Sequence, residues 1–484
     1  MKNGHISSIT EGELVRRGSS IFRALRNLLL ISMSIVGRAP GQQASPFQGS
    51  VPMGDGRVTS LTLTLDDSIR RGLKANLGLL ERDSYSKEER AQRMRALSAL
   101  LPQVTGSFSE SVEQSNLQSY GLNLMLPPGL GITIPKIVGP FQYTQAGVTA
   151  SARVVDLAAI KNLSSARATE SAALLSVEDA RGLVVQAVAN AYLLVIADAS
   201  SLESVQAQMN TAQALLSRAA DRESAGASPE IDVLRAELEL KTQHQRFLVE
   251  QNQLEKDKLS LGRIIGLPAA QDFTIYDRIS FTPLPRFNQA EAQQKAREER
   301  QDYQCALRLV QAAEEAVAAA RAEHYPTVDV NGFYGDGGSR LGNSHSVFAV
   351  TAAIKFNLFD AGRIHANVQE ARARLQQRSN ELADLGGQID AQIREAFLDI
   401  QTAAAQVDVA QSNLTVANKT LEQANDRFAA GVADTIELVE AQESVARADD
   451  ALISALYAHN VAKVSLARIL GGSEQQLHEF IQVG

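Results

Sequence analysis

The sequence predicts a mainly α-helical protein with a smaller β part of the kind found in membrane barrels, built as an internal tandem repeat. Three observations predict this fold class. Short motifs recur at a fixed spacing, long stretches without proline carry apolar residues at steps of three and four, and shorter segments alternate apolar and polar residues. Steps of three and four are typical of helices, and strict alternation is typical of strands.

The repeat is visible in paired motifs that share one offset of 205 residues. The stretch DRESAGASPEIDVLRAE at 221–237 returns as DRFAAGVADTIELVEAQ at 426–442, and KLSLGRIIG at 258–266 returns as KVSLARILG at 463–471. One shared register predicts a tandem duplication. Upstream the offset is 224, since LPQV pairs with YPTV, so the first copy carries about twenty extra residues. They fall within 116–142, where dense glycine and proline predict a loop.

The long helices are predicted by a heptad pattern and by the absence of proline. Between 438 and 469, apolar or small residues recur in steps of three and four, interrupted only by His459, which we expect to be a packed polar residue. No proline interrupts the stretch from about Leu157 to Ser224. A helix there would span roughly 100 Å at about 1.5 Å per residue, which fits a coiled-coil hairpin better than a compact globule.

The turn of each hairpin is predicted at a duplicated glycine, Gly226 in the first copy and Gly431 in the second. Glycine commonly ends helices because it adopts the left-handed conformation without strain. In the first copy, Ser228 is predicted to cap the next helix and Pro229 to occupy its first turn.

Four segments with a period of two predict strands, two in each copy. They are 104–112, 148–154, 327–334 and 347–358. In the last of them every even position from Phe348 to Leu358 is apolar, whereas the odd positions are smaller or polar. A single apolar face of about ten residues suits a strand of an outer-membrane barrel. A half-buried soluble sheet alternates in the same way and stays open as an alternative, and Glu110 falls on the more apolar face.

The N-terminus predicts a signal peptide over residues 1–41. Arg23 and Arg26 precede an apolar run at 28–36, and small residues follow at 39–41. A short amphipathic or disordered leader is the alternative. We identify no segment elsewhere that could span a bilayer as a helix, which needs about 20 apolar residues. A chain of this kind that crosses a membrane must do so as a barrel.

Composition argues against several other classes of protein. The net charge of −8 disfavours nucleic-acid binding, which needs a basic face. Cys305 is the only cysteine, which excludes a disulfide framework and a cysteine-based zinc site. The seven histidines lack metal-ligand spacing, and no nucleophile, base or metal set converges in the motifs. We therefore predict no catalytic activity, no cofactor and no metal.

The order helix, two strands and two long helices, repeated once, resembles the TolC family of outer-membrane efflux proteins. The motifs that carry the resemblance are LTLDDSIRRGLKANLGLL, LPQV, YPTV, NLFDAGR, the two turn motifs, LGRIIG and LARILG, which together cover 61–471. The resemblance implies a homotrimer in which each chain gives four strands to one shared twelve-stranded barrel. A coiled-coil helical tube extends below this barrel. Geometry agrees, because four strands alone leave unpaired edges in lipid. The first efflux repeat is placed at 62–282 and the second at 283–472.

The resemblance also implies a function and a place in the cell. The expected protein is an outer-membrane channel with a periplasmic extension, the exit duct of a tripartite efflux or type I secretion system. Its implied partners are outer-membrane lipid, a periplasmic adaptor and an inner-membrane transporter, and it would conduct substrates passively. Two alternatives stay open: a non-channel coiled-coil protein that bridges the layers of the envelope, and an enzyme on a coiled-coil scaffold.

Five residues near the two turns are the candidate functional residues. The resemblance implies an acidic ring at the pore entrance from the side chains six and nine residues after Gly431, which are Glu437 and Glu440. Asp232, the counterpart of Glu437, is implied in gating or tip contacts, and Gly226 and Gly431 in adaptor docking. A solvated coiled-coil face is the alternative for the glutamates, and a plain surface charge for Asp232.

Overall fold

A computed structural model of the chain describes residues 45–53, 61–121, 135–278, 280–283, 288–433 and 435–472, together with residues 474, 477, 480 and 481. The predicted signal peptide, 1–41, lies wholly outside the described residues. The central and most apolar part of the predicted loop, 122–134, lies outside them as well.

Helices form most of the described chain, and strands fall where the alternating segments predicted them. In chain order the elements are β1 (Leu61–Leu63), α1 (Leu65–Ala75), α2 (Leu77–Ser98), β2 (Gln103–Asn116), β3 (Ile137–Val155), α3 (Leu157–Ser224), α4 (Glu230–Ile264), β4 (Phe273–Ile275), α5 (Gln289–Glu299), α6 (Gln301–Ala322), β5 (Thr327–Gly338), β6 (Ser344–Lys355), α7 (Arg363–Ala429) and α8 (Thr435–Ile469).

The duplication predicted from the motifs is present in the three-dimensional structure. Helices α1 and α2 recur as α5 and α6 at an offset of 224, and α4 recurs as α8 at an offset of 205. Even the break within each short helical pair is conserved in position, at Asn76 in the first copy and Arg300 in the second. The limits of the two repeats, 62–282 and 283–472, stay a prediction.

Two long helical hairpins, α3–α4 and α7–α8, account for the elongated part of the protein. Helix α3 has 68 residues and α7 has 67, so each is roughly 100 Å long at about 1.5 Å per residue. The predicted heptad seam of α8 is buried at five of its apolar positions and half-buried at the other four. The buried ones are Leu438, Ala441, Ala455, Ala462 and Leu466. Small alanine side chains let neighbouring helices pack closely along such a seam.

The polar interruption of that seam is also buried. His459 is 1% exposed and its ring lies 4.9 Å from the ring of Phe281, as expected of a packed polar residue. Burial, together with the positive charge of Lys463, lowers the pKa of His459 to about 4. Burial likewise lowers the pKa of Lys463 to about 8.

Two expectations about the helices are wrong. Helix α3 does contain a window long and apolar enough to span a membrane by composition, but 56% of that window is buried inside the chain, as in the core helix of a bundle. Helix α4 begins at Glu230, so Pro229 stands at the N-cap position instead of in the first turn. The extended ψ of 153° at Pro229 keeps it outside the helix, and Ser228 is not the cap.

Four strands form one antiparallel sheet in the order β2-β3-β5-β6. The register pairs Phe108 with Ala146, Ala150 with Gly332, and Tyr334 with Phe348. Residues of equal parity therefore share a face over most of the sheet. Within the described part of the chain, β2 and β6 each pair with a strand on one side only, so both outer edges of this sheet remain open.

The main hydrophobic core lies where α3 meets α1, the end of α4 and the short parallel pair β1–β4. Tyr192 is fully buried at its centre; its hydroxyl donates to Asp277 (2.7 Å), and the hydroxyl oxygen lies 3.1 Å from the Leu63 carbonyl oxygen. Burial and the neighbouring Asp277 raise the pKa of Tyr192 far above its usual value. This core fixes the helical hairpins relative to the segment that joins the two copies.

Candidate membrane surface and pore entrance

The four-stranded sheet has one apolar face that is exposed in the single chain. Its large side chains are Val104, Phe108, Val112, Val148, Val154, Tyr334, Phe348, Val350 and Ile354. All of them are at least 48% exposed, which is uncommon for so many large apolar groups on one soluble surface. A face of this kind is suited to contact with lipid rather than with water.

The opposite face of the same strands is mostly polar and small. It carries Thr105, Ser107, Ser109, Ser111, Thr149, Ser151, Asn331 and Thr351, which share odd numbering and the sheet register. One apolar and one polar face are the arrangement of a barrel wall between lipid and water. The apolar face has charged exceptions at Glu110 and Asp336. The carboxylate of Glu110 accepts a hydrogen bond from the Gln142 amide.

Just beyond β6, three apolar side chains project into solvent. Phe356, Leu358 and Phe359 are 62%, 89% and 90% exposed, and they lie between the last strand and α7. Aromatic side chains at this level form the girdles that anchor barrels at the edge of the hydrocarbon layer. The motif NLFDAGR thus connects the four-stranded sheet to the long helix α7.

The two duplicated glycines form the same turn, as predicted. Gly226 has φ of 68° and Gly431 has φ of 73°. After each glycine the next N–H donates back to the helix: Ala227 to the Arg222 carbonyl (2.7 Å), and Val432 to the Arg427 carbonyl (3.0 Å). This is the Schellman pattern that closes a helix C-terminus.

Alanine at either turn is expected to strain the backbone without creating a steric clash. A Cβ added to Gly226 or Gly431 would meet no described heavy atom within 4 Å, so the left-handed φ is the source of the cost. We expect Gly226→Ala and Gly431→Ala each to lower stability by about 1 kcal/mol, measured by chemical denaturation. Gly387→Ala in α7, also with an open Cβ position, is the matched control and should stabilise or leave stability unchanged.

The two predicted ring residues lie in the first turns of α8, in different surroundings. Glu437 forms a two-point ion pair with Arg427 across the turn, with Nε–Oε1 at 2.9 Å and Nη2–Oε2 at 3.3 Å. Glu440 is exposed. Sequence reasoning missed Arg427. The signal was its position shortly before the turn, because residues on either side of a turn face each other in a helical hairpin.

Asp232 and the arginine of the first turn motif make contacts that differ from those of their counterparts. Asp232 is mostly buried and lies 3.6 Å from Arg235 on its own helix. Arg222, the counterpart of Arg427, reaches the second hairpin, where it donates to the Phe428 carbonyl (3.2 Å) and lies 4.7 Å from the Phe428 ring. The apolar cluster between the two hairpins includes Leu215 and Phe428. The two tips are therefore joined within one chain.

An exposed apolar sheet, a polar opposite face and long helices with joined tips are the features of a membrane-barrel protein with a helical extension. The family model described as outer membrane efflux protein matches residues 69–267 and 292–472, and the chain belongs to this family. The protein accordingly resides in the outer membrane.

The sequence relatives are distant. The chain is 24% identical over 298 residues to the pyoverdine export outer membrane protein OpmQ of Pseudomonas putida, covering 60% of this chain and 62% of OpmQ. It is 26% identical over 189 residues to the cation efflux system protein CusC of Escherichia coli, covering 37% of this chain and 40% of CusC. The matched part thus spans less than two thirds of either relative.

Solved structures agree in fold over nearly the whole chain. The outer-membrane channel OprN superposes with a TM-score of 0.73 at 19% identity, covering 90% of this chain and 99% of OprN. The CmeC outer membrane channel of Campylobacter jejuni gives a TM-score of 0.72 at 17% identity, covering 90% of this chain and 93% of CmeC. The fold is therefore that of a helical tube joined to a membrane barrel.

Proposed function

We propose that this protein is the outer-membrane exit duct of a tripartite efflux or type I secretion system. In this proposal it is a homotrimer that conducts substrates passively from a periplasmic adaptor and an inner-membrane transporter to the outside. No cofactor and no catalytic step belong to the proposal. OpmQ is named for pyoverdine export and CusC for cation efflux, and the present chain is assigned to neither substrate.

The observation that carries the proposal is the open four-stranded sheet with an exposed apolar face. A sheet with two free edges cannot remain in lipid, because each unpaired N–H or C=O group there costs several kcal/mol. Threefold symmetry would pair the edge of β2 in one chain with the edge of β6 in the next, and so would close a barrel of twelve strands. The same symmetry would bring three pairs of helical hairpins around one axis.

The tips support the proposed entrance and docking site. With three chains around an axis, Glu437 and Glu440 would contribute six carboxylates to one constriction, which would attract cations. The turns at Gly226 and Gly431 stand at the far end of the hairpins and are proposed as the surface met by the adaptor. Asp232, close to the first turn, is proposed as a contact that helps to set the tip conformation.

The experiment is a detergent-corrected native mass of the protein extracted from membranes, followed by current recordings in planar bilayers. A trimer of the 52.1 kDa chain that conducts ions would support the proposal. A monomer, or a protein recovered wholly in the soluble fraction, would contradict the shared barrel and favour the envelope-bridging alternative. A trimer without conductance would leave the barrel in place but contradict the role as a duct.

A further inference from the structure

Three basic side chains line one cleft where the strands meet the helices. Arg153 near the end of β3, Lys355 at the end of β6 and Arg363 at the start of α7 surround a cavity of about 510 Å³. A neighbouring cavity of about 310 Å³ shares Arg153 and Lys355 and adds Asp329. We refer to the site formed by these four residues as the junction cleft.

Three acidic side chains lie beneath the bases of the junction cleft: Asp329 itself, and Asp156 and Glu323, which line the larger cavity. Asp329 is held between Arg153 (Nε–Oδ1 3.7 Å) and Lys355 (Nζ–Oδ2 2.7 Å), and Asp156 accepts from Arg153 (3.0 Å). The side chains of Asp329 and Asp156 are only 15% and 7% exposed, whereas those of Arg153 and Lys355 are 58% and 69% exposed. The ion pairs are therefore oriented with their positive ends toward water.

The basic groups retain hydrogen-bonding capacity for a ligand. An ammonium has three donors and a guanidinium has five. Among the described residues, Lys355 makes one ion-pair contact, and Arg363 makes one, to Glu323 (2.8 Å). The remaining donors of these exposed side chains can approach the oxygens of a carboxylate or a phosphate, which arginine binds at two points.

The strand register places the cleft on the polar face of the sheet. Arg153 pairs with Asp329, and Lys355 pairs with Thr327, all at the odd positions that form this face. Over the described polar-face positions of 103–111 and 145–151 the side chains are uncharged. Between Glu113, near the far end of β2, and the junction, a solute moving along these positions would therefore pass neutral side chains before it meets concentrated charge.

We propose that the junction cleft binds the carboxylate or phosphate groups of anionic solutes within the pore. This inference rests on the proposed function, which puts the polar face inside a channel. Asp329, Asp156 and Glu323 together balance the three basic charges, so only the outward-facing donors of the bases attract an anion. A bound anion is therefore held weakly and can leave again, as conduction requires. The chain would then have a cation-attracting entrance at its tips and an anion-binding site at the base of its barrel.

The test uses inorganic pyrophosphate as a blocker of single-channel current, added on the barrel side in bilayers of neutral phosphatidylcholine. The variants are Lys355→Gln, which leaves Arg153 to pair with Asp329, and Lys355→Gln with Arg153→Gln. Arg378→Gln is the matched control, since Arg378 forms an exposed ion pair with Glu381 (2.8 Å) on α7. We expect the blocking concentration to rise about tenfold in the single variant and further in the double variant, because one charge-assisted hydrogen bond contributes about one decade of affinity or more. The control should match the wild type.

Equal block in wild type and both variants would overturn the inference. If the trimer conducts no current, the duct proposal fails, and the site is tested by equilibrium dialysis of labelled pyrophosphate against the solubilised full chain. In that dialysis, equal binding by the wild type and Lys355→Gln would overturn the inference.

Phosphate from lipid headgroups is the other source of the same chemistry. Block that disappears in wild type when anionic lipid is added, but not in the variants, would assign the cleft to lipid headgroups and overturn the assignment to solutes.

Discussion

Replacing both Glu437 and Glu440 with glutamine is expected to weaken block of the channel by a trivalent cation about a hundredfold or more. Six carboxylates around one axis concentrate negative charge at the constriction, and the double variant removes all of them. The measurement is single-channel current with hexamminecobalt(III) added on the side of the helical tips.

The structure also predicts an order for the two single variants. Arg427 offsets the charge of Glu437 through a two-point ion pair, whereas Glu440 is exposed. Glu440→Gln should therefore weaken cation block more than Glu437→Gln does. Glu381→Gln is the control, because Glu381 is exposed and ion-paired on α7 but lies roughly 70 Å from the turn along the helix. Unchanged block in the double variant would show that these glutamates do not form the ring.

Arginine in place of Val350 is expected to prevent or strongly reduce assembly in the membrane. Val350 lies in the middle of β6 on the apolar face and is 73% exposed in the single chain. A positive charge on the lipid face of a barrel costs about 2–4 kcal/mol at the bilayer midplane. Three chains would incur this cost three times. The measurement is the yield of trimer extracted from membranes. Urea unfolding in lipid vesicles would then give the loss in free energy of unfolding.

Thr351→Arg provides the matched control, since Thr351 is the next residue along the strand and belongs to the polar face. We expect trimer yield close to that of the wild type, because the new charge would face water. Equal loss in both variants would mean that the two faces do not differ in their surroundings. A stable, abundant Val350→Arg trimer would contradict a lipid-facing sheet directly.

The duplicated turn shows how two copies of one motif can acquire different roles. Both copies keep the glycine and the hydrogen bonds that close the helix, because glycine adopts the left-handed conformation of this turn without strain. The side chains around the turn differ: Arg427 binds Glu437 within its own hairpin, whereas Arg222 contacts Phe428 of the other hairpin. The backbone of the tip is therefore repeated, while the contact that joins the two hairpins is made from one side only.

Much of the architecture could be predicted from sequence because its signals are local. The predicted helix from about Leu157 to Ser224 agrees with α3, and the alternating segments fall within or beside the observed strands. Side-chain periodicity is set by the geometry of the element itself, so it can be read without knowing what the element packs against. The expectation at Ser228 was wrong because a cap signal of two residues is weak. The extended conformation of the adjacent proline moves the start of the helix by one residue.

By itself the sequence determined the two copies, the long hairpins with their glycine turns, and the strands with one apolar face. Only the tertiary structure decided which strands are neighbours, that Arg427 meets Glu437, and that Asp329 lies beneath Arg153 and Lys355. The physical reason is distance along the chain. An ion pair between residues such as Arg153 and Asp329 depends on how whole elements pack, and no periodicity within either segment records that packing.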